Sequence, residues 1–231
     1  MSALGHYLEE EGIATVAISL VRPQTEKTKP PRALWVPFEL GRPFGPPGDP
    51  VFQKRVILAA LRLLERAGGP VLIEDFPDDD PRARPDSAWH PPMVAAKLER
   101  EIGSLHDAHR RWVAERGRTT VGLSGLSIEE CGGTIAAWLR GEVPESPRDG
   151  VSAPLLLRFA VDDVKAYYLE AAAAGAARPS SRQLGDWFWE RTAAGAALHA
   201  LRAACLASED ERLKLIAGNF IVPALRVQNP G

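Results

Sequence analysis

The sequence predicts an α/β fold: a partly parallel sheet with flanking helices in an amino-terminal lobe, 1–141, followed by a mainly α-helical lobe, 142–231. Three observations lead there. Short apolar runs at 13–21, 33–38 and 71–76 are bounded by proline, glycine and charged residues, as strands are. A helical pattern lies between the second and third runs, giving the strand, helix, strand order of an α/β unit. After residue 127 the chain turns alanine-rich, with repeated Ser-x-x-Glu/Gln spacing that marks helix starts.

Taken in order, Leu4, Tyr7 and Leu8 recur at helical spacing, and Gly12 ends the pattern. Residues 13–21 are apolar enough for a strand covered on both faces. A polar loop is expected over 22–32, then a strand in which Pro37 disfavours a long central ladder. Residues 39–48 hold three glycines and three prolines and read as a stiff loop. Asp49-Pro50 opens a helix, with an N-cap acceptor followed by proline at the first helical position, and Gly68-Gly69 should close it. The acidic, proline-rich 77–92 reads as an irregular loop. Beyond it come a helix over about 93–115, a strand around 119–123 and a helix over 127–139 with a capping box at Ser127 and Glu130. A linker is expected over 141–153, and then helices over 161–176, 181–207 and from Ser208.

The chain has 231 residues, 45% hydrophobic and 25% charged, which excludes a disordered tail, a collagen-like repeat and a coiled-coil rod. Its 28 basic and 30 acidic residues nearly cancel, so no nucleic-acid partner is expected. No run reaches the ~20 apolar residues a membrane helix needs. Two cysteines cannot make a disulfide framework, and no signal peptide is read at the start; a cytoplasmic location is expected.

Four residues are the candidate substrate-binding set: Arg22, Thr25, Glu26 and Arg42. The first three follow a buried strand, where open α/β sheets place ligands. An arginine fork suits a carboxylate, and Thr25 and Glu26 suit an amine or a water. Arg42 lies in the stiff second loop, where glycine lets a ligand approach the backbone. The alternatives are a solvated charged loop and a plain rigid crossover.

Other groups read as structural. His106 and His109 share a helix face without a third metal ligand. Cys131 follows a helix start that would lower its thiol pKa, but it also belongs to the apolar stripe Ile128, Cys131, Ile135 and Leu139. Cys205, Tyr167-Tyr168 and Trp187-Phe188-Trp189 read as packing. No metal and no cofactor is expected.

The run 13–22, then Thr25-Glu26, then Lys29-Pro30-Pro31-Arg32-Ala33-Leu34, resembles the selenoprotein B family. These are the substrate-reducing components of glycine, sarcosine and betaine reductases and of D-proline reductase. The likeness continues through Val36-Pro37-Phe38, Leu40-Gly41-Arg42-Pro43, Gly45, Asp49-Pro50, Phe52-Gln53 and Arg55, and covers about residues 4–76. It implies a reductase component that cleaves a C–N bond of a small amine or amino-acid-like substrate with electrons from a thiol or selenol. Arg22 would grip a carboxylate, Thr25 and Glu26 would orient the amine, and Arg42 would assist.

Members carry a selenocysteine- or cysteine-x-x-cysteine element just before the helix matching residues 2–8. This chain opens after that point, and has Pro23-Gln24 where the family tends to show an acidic residue and histidine. Three accounts follow: a reading frame shortened at a UGA codon, a partner chain that carries the redox pair, or a non-catalytic binding or assembly subunit. The expected partners are thus a small-molecule substrate and a chain bearing the redox motif, with an oligomer left open.

Overall fold

The computed structural model describes residues 2–66, 71–80, 85–95, 97–177 and 179–227. The chain is α/β and divides into two compact units, Met1–Pro85 and Asp86–Gly231. The division falls earlier than the 141/142 boundary expected from sequence. The helices over 98–139 pack against the later helices and not in the sheet-bearing unit.

In the first unit, helix α1 (Ser2–Glu10) ends at Gly12, whose φ of +82° turns the chain into strand β1 (Ala17–Ser19). Helix α2 (Arg22–Thr28) leads to strand β2 (Arg32–Trp35), and helix α3 (Pro50–Arg62) leads to strand β3 (Leu72–Asp75). The strands lie in the order β1-β2-β3, all parallel, with Ser19, Trp35 and Asp75 in register. The sheet is thus wholly parallel among the described residues, where a partly parallel one was expected. The β1 ladder covers only three residues, each half-buried, because β1 is an edge strand; full cover on both faces was expected.

The expected loop over 22–32 is instead mostly helix α2. Pro23 does not prevent it, because a proline in the first helical turn gives up an N–H that has no partner there. Lys29 closes α2 in the left-handed region at φ 46°, donating its N–H to the Thr25 carbonyl at 2.9 Å. Asp49 caps α3 as expected, accepting the Phe52 N–H at 2.9 Å. The expected stop at Gly68-Gly69 lies outside the described residues, as do 81–84 of the acidic loop.

Helix α3 packs on the sheet through Phe52, Val56 and Ala60, and Leu63 in the turn that follows joins the same core. Phe38, Phe52 and Phe76 meet with ring centroids 5.5–5.9 Å apart in tilted and edge-on geometry. Aromatic pairs of this kind stabilise by about 1 kcal/mol beyond the area they bury. Gly45 (φ +84°) accommodates the group: a Cβ there would lie 2.5 Å from the Phe52 ring.

The second unit is helical: α4 (Leu98–Ser104), α5 (His106–Arg116), α6 (Ile128–Leu139), α7 (Ala153–Ala172), α8 (Ser181–Arg191), α9 (Ala193–Leu206) and α10 (Glu211–Ile216), which runs into a π-helical turn at Ala217–Ile221. The capping boxes at Ser127/Glu130 and Ser180/Gln183 form as read. At the last boundary Asp210 caps α10 through the Arg212 N–H, where Ser208 was expected to. The expected helix 181–207 is broken at Thr192. Its hydroxyl donates to the Phe188 carbonyl (2.6 Å) and accepts the Gly195 N–H (2.9 Å), so one side chain ends α8 and starts α9. The helix expected from 161 begins at Ala153. The one expected over 93–115 is two helices meeting at Leu105.

The strand expected around 119–123 does not form. Its backbone is held by two carboxylates seven residues apart on α7. Asp163 accepts the N–H groups of Gly122, Leu123 and Ser124 at 2.8–2.9 Å, and Glu170 accepts that of Thr120 at 2.8 Å. Donors committed to side chains cannot enter a β ladder. A third buried carboxylate, Glu101, accepts the N–H groups of Ala193 and Ala194 at the start of α9 and the Tyr168 hydroxyl. No helix among the described residues is long and apolar enough to cross a membrane.

Candidate functional site

The first unit carries a groove of about 780 Å³ at the carboxyl end of β1. Parallel α/β sheets place ligands at this end, where the strands stop and the following loops and helices diverge. Polar groups reach it from three elements: Ser2 and His6 of α1, Ser19 of β1, and Gln24, Thr25 and Thr28 of α2. Ser2 and His6, and likewise Gln24 and Thr28, are four apart on their helices, which puts each pair on one face.

The hydrogen bonds fix which way the hydroxyl protons go. Thr25 donates to the Val21 carbonyl at 3.0 Å, so the proton between Ser19 and Thr25 belongs to Ser19. Thr28 donates to the Gln24 carbonyl at 2.8 Å, and Ser2 donates to Thr28 at 2.9 Å. His6 Nε2 lies 2.7 Å from the Lys29 carbonyl. A carbonyl can only accept, so Nε2 carries the hydrogen and the neutral ring keeps its lone pair on Nδ1. Each of these donors is spent on a protein acceptor, which leaves oxygen and nitrogen lone pairs as most of the polar lining, with the Gln24 amide adding both an acceptor and a donor.

Of the four residues chosen from sequence, Thr25 is buried in the wall of this groove. Arg22 and Glu26 are beside it, one turn apart on α2, and bind each other: Arg22 Nε donates to Glu26 at 2.9 Å. A terminal nitrogen of Arg22 bonds Asp75 at the end of β3, and its guanidinium carbon lies 5.6 Å from the centre of the Trp35 ring. The Glu26 hydrogen bond, and then Asp75, raise the Arg22 pKa further above its ordinary value. Arg42 is not part of this group: it sits in the second loop, 3.4 Å from Glu39. The sequence reading missed His6, Ser19, Trp35 and Asp75. The i, i+4 pair Ser2 and His6 opposite an apolar face was a usable signal for His6. Trp35 and Asp75 became neighbours of Arg22 only through strand register.

Neither cysteine joins the groove. Cys131 is buried in the second unit, its sulfur 3.3 Å from the Ser124 hydroxyl, and burial pushes its thiol up to about 11. The helix start does not offset that loss of solvent. Burial also raises the Cys205 thiol. His109 is half-buried and bonded to Glu170 at 2.9 Å; His106 pairs with Glu129 at 2.6 Å. Among the described residues no group of three or more His, Cys, Asp or Glu side chains is placed to hold a metal ion. No family model, no curated protein and no solved structure matches this chain.

Proposed function

We propose that this chain is the substrate-holding component of a thiol- or selenol-dependent reductase of the glycine and D-proline reductase type, acting on a small amine or amino-acid-like substrate. One observation carries the amine: the groove at the end of β1 presents mainly acceptors, because the protons of Ser2, Ser19, Thr25, Thr28 and His6 Nε2 are already donated to the protein and only the Gln24 amide adds a donor. A ligand rich in N–H donors, such as an ammonium group, complements such a lining. The resemblance over residues 4–76 supplies the reaction class. In it the C–N bond takes up two electrons and two protons to give C–H and N–H, while a dithiol or selenol–thiol pair closes to its oxidised form. Both thiols of this chain are buried and protonated, so that pair comes from outside these residues, on a preceding segment or on a partner chain. Arg22 binds a substrate carboxylate by giving up its contact to Asp75.

The burial of both thiols also favours a second reading, a subunit that binds the amine without reacting. Titration calorimetry with three N–H donors, glycine, sarcosine and D-proline, tests the shared site, with betaine, which has no N–H, as the weaker-binding control. At least one of the three gives a saturable signal, and Arg22→Ala weakens it about tenfold or more, the loss of a charge-assisted hydrogen-bond pair. No saturable binding by any of the three overturns both readings. Binding without amine release, in the presence of a dithiol and a Cys-x-x-Cys partner, favours the second.

A further inference from the structure

We infer that a second groove, between α3 and the edge strand β3, is a site for a small phosphomonoester with an apolar body. The groove has a volume of about 400 Å³, within the range of small-molecule sites. Arg55, Ala59 and Arg62 fall at i, i+4 and i+7 and so share one face of α3, and Arg66 follows just past the helix. Glu74 and Phe76 face them from β3 and its end. Ala59 leaves room between the two helical arginines, where a larger side chain would fill the floor.

The charges do not cancel. Arg55 is answered by Asp78, and Arg66 by Glu74 at a loose 3.7 Å. Arg62 meets no carboxylate within 4 Å among the described residues. Three guanidinium groups against two carboxylates leave one positive charge over the groove. Cations near a helix carboxyl end are favoured by the helix dipole, which explains Arg62 and Arg66 in part. It does not explain Arg55, which stands near the middle of α3.

Below the arginines the walls are apolar, and Leu58 keeps 42% of its surface exposed beside them. An uncovered apolar floor under a cationic rim fits a ligand with an anionic head and a short apolar or aromatic tail. A phosphate monoester suits the rim better than a carboxylate does. Its three terminal oxygens can accept from more than one guanidinium fork at once, and its second charge displaces Glu74 from Arg66.

The test uses the full chain and follows the amide signals of α3 and β3 by NMR, with phenyl phosphate, inorganic phosphate and benzoate as probes. Phenyl phosphate gives saturable shifts and binds about fivefold or more tightly than either other probe, because inorganic phosphate has no apolar body for the floor and benzoate lacks the third oxygen and second charge for the rim. Arg62→Ala weakens it about tenfold or more, and Glu74→Gln strengthens it by about two- to fivefold by freeing Arg66. Both positions are exposed, so the far-ultraviolet spectrum stays native. No saturable shift up to about 20 mM phenyl phosphate overturns the inference, as that bounds the affinity below any specific site. So does equal binding by inorganic phosphate or benzoate. An unchanged affinity in both variants refutes it as well.

Discussion

Asp163→Asn is the sharpest test of how the second unit holds its shape. Asp163 is 1% exposed, and its two oxygens receive four N–H and O–H donors, with the Cys131 thiol a weaker fifth at 4.0 Å. Oδ1 takes the N–H groups of Gly122 and Leu123, both at 2.8 Å; Oδ2 takes the Ser124 N–H at 2.9 Å and the Ser124 hydroxyl at 2.5 Å. Asparagine keeps the shape but turns one oxygen into an NH₂ that faces two donors. Two charge-assisted hydrogen bonds are lost, at about 1.5–3 kcal/mol each, less what the Ser124 hydroxyl recovers by turning to accept. The expected loss is about 3–5 kcal/mol, a large share of a domain's stability. Urea unfolding followed by tryptophan fluorescence reads it well, because five of the six tryptophans (all but Trp35) lie in this unit. With a slope of about 2 kcal/mol per molar, the midpoint falls by about 2 M. Ser124→Ala, which removes one hydroxyl from the cluster, costs less, about 1–2 kcal/mol. A loss below about 1 kcal/mol for Asp163→Asn, at unchanged slope, refutes the assignment of the 119–124 segment to Asp163.

Three further outcomes are expected. Neither thiol reacts with a disulfide reagent at about pH 8 in the native protein, and both react once it is unfolded in guanidinium; a fast native thiol contradicts the buried, protonated state of Cys131 and Cys205. Burial alone would raise the Glu170 pKa, but hydrogen bonds from Thr119, Thr120 and His109 outweigh it and hold the group below the ordinary 4.5. The unfolded chain then binds the extra proton. The stability Glu170 contributes is therefore present above pH 4.5 and lost as pH falls through the lower folded value, and Glu170→Gln makes that acid limb of the urea midpoint shallower. Gly195→Ala places a Cβ 2.2 Å from the Phe188 carbonyl, within the α8–α9 junction, and destabilises by about 3 kcal/mol in the same assay; a neutral effect would mean the two helices can separate freely.

Local chemistry made much of this legible in advance. The caps at Asp49, Ser127 and Ser180 and the turn at Gly12 act through neighbours in sequence, and each forms as read. What sequence could not supply was long-range. Nothing near residues 119–124 announces that Asp163 and Glu170, about forty to fifty positions on, will take their N–H groups. Thr192 shows the same limit at short range: a threonine in an alanine-rich run reads as helix until its hydroxyl is seen serving two helices. At the candidate site, Arg22, Thr25 and Glu26 were found from their place after a strand. In the structure Arg22 is held by Glu26 and Asp75, and only the sheet register brings Asp75 to it. Arg42 was chosen on loop chemistry and the resemblance, and its partner is its neighbour Glu39.

His6 is where groove geometry and proposed chemistry meet most directly. A small amine leaves a carbon most readily when its nitrogen is protonated, so a group that can hold and return a proton beside the ligand is useful. The Lys29 carbonyl stands 2.7 Å from His6 Nε2 because Lys29 closes α2 in the left-handed region. This fixes the hydrogen on Nε2 and leaves the lone pair of the neutral ring on Nδ1. Nitrogen-15 NMR of the imidazole at neutral charge is expected to show a pyrrole-type Nε2 and a pyridine-type Nδ1. The opposite tautomer would mean that the Lys29 contact does not exist in solution, and with it would go the acceptor character of the groove at that point. With the expected tautomer, adding a bound amine shifts Nδ1 and leaves Nε2 in place, because the ligand's N–H groups can meet only the nitrogen that still has a lone pair.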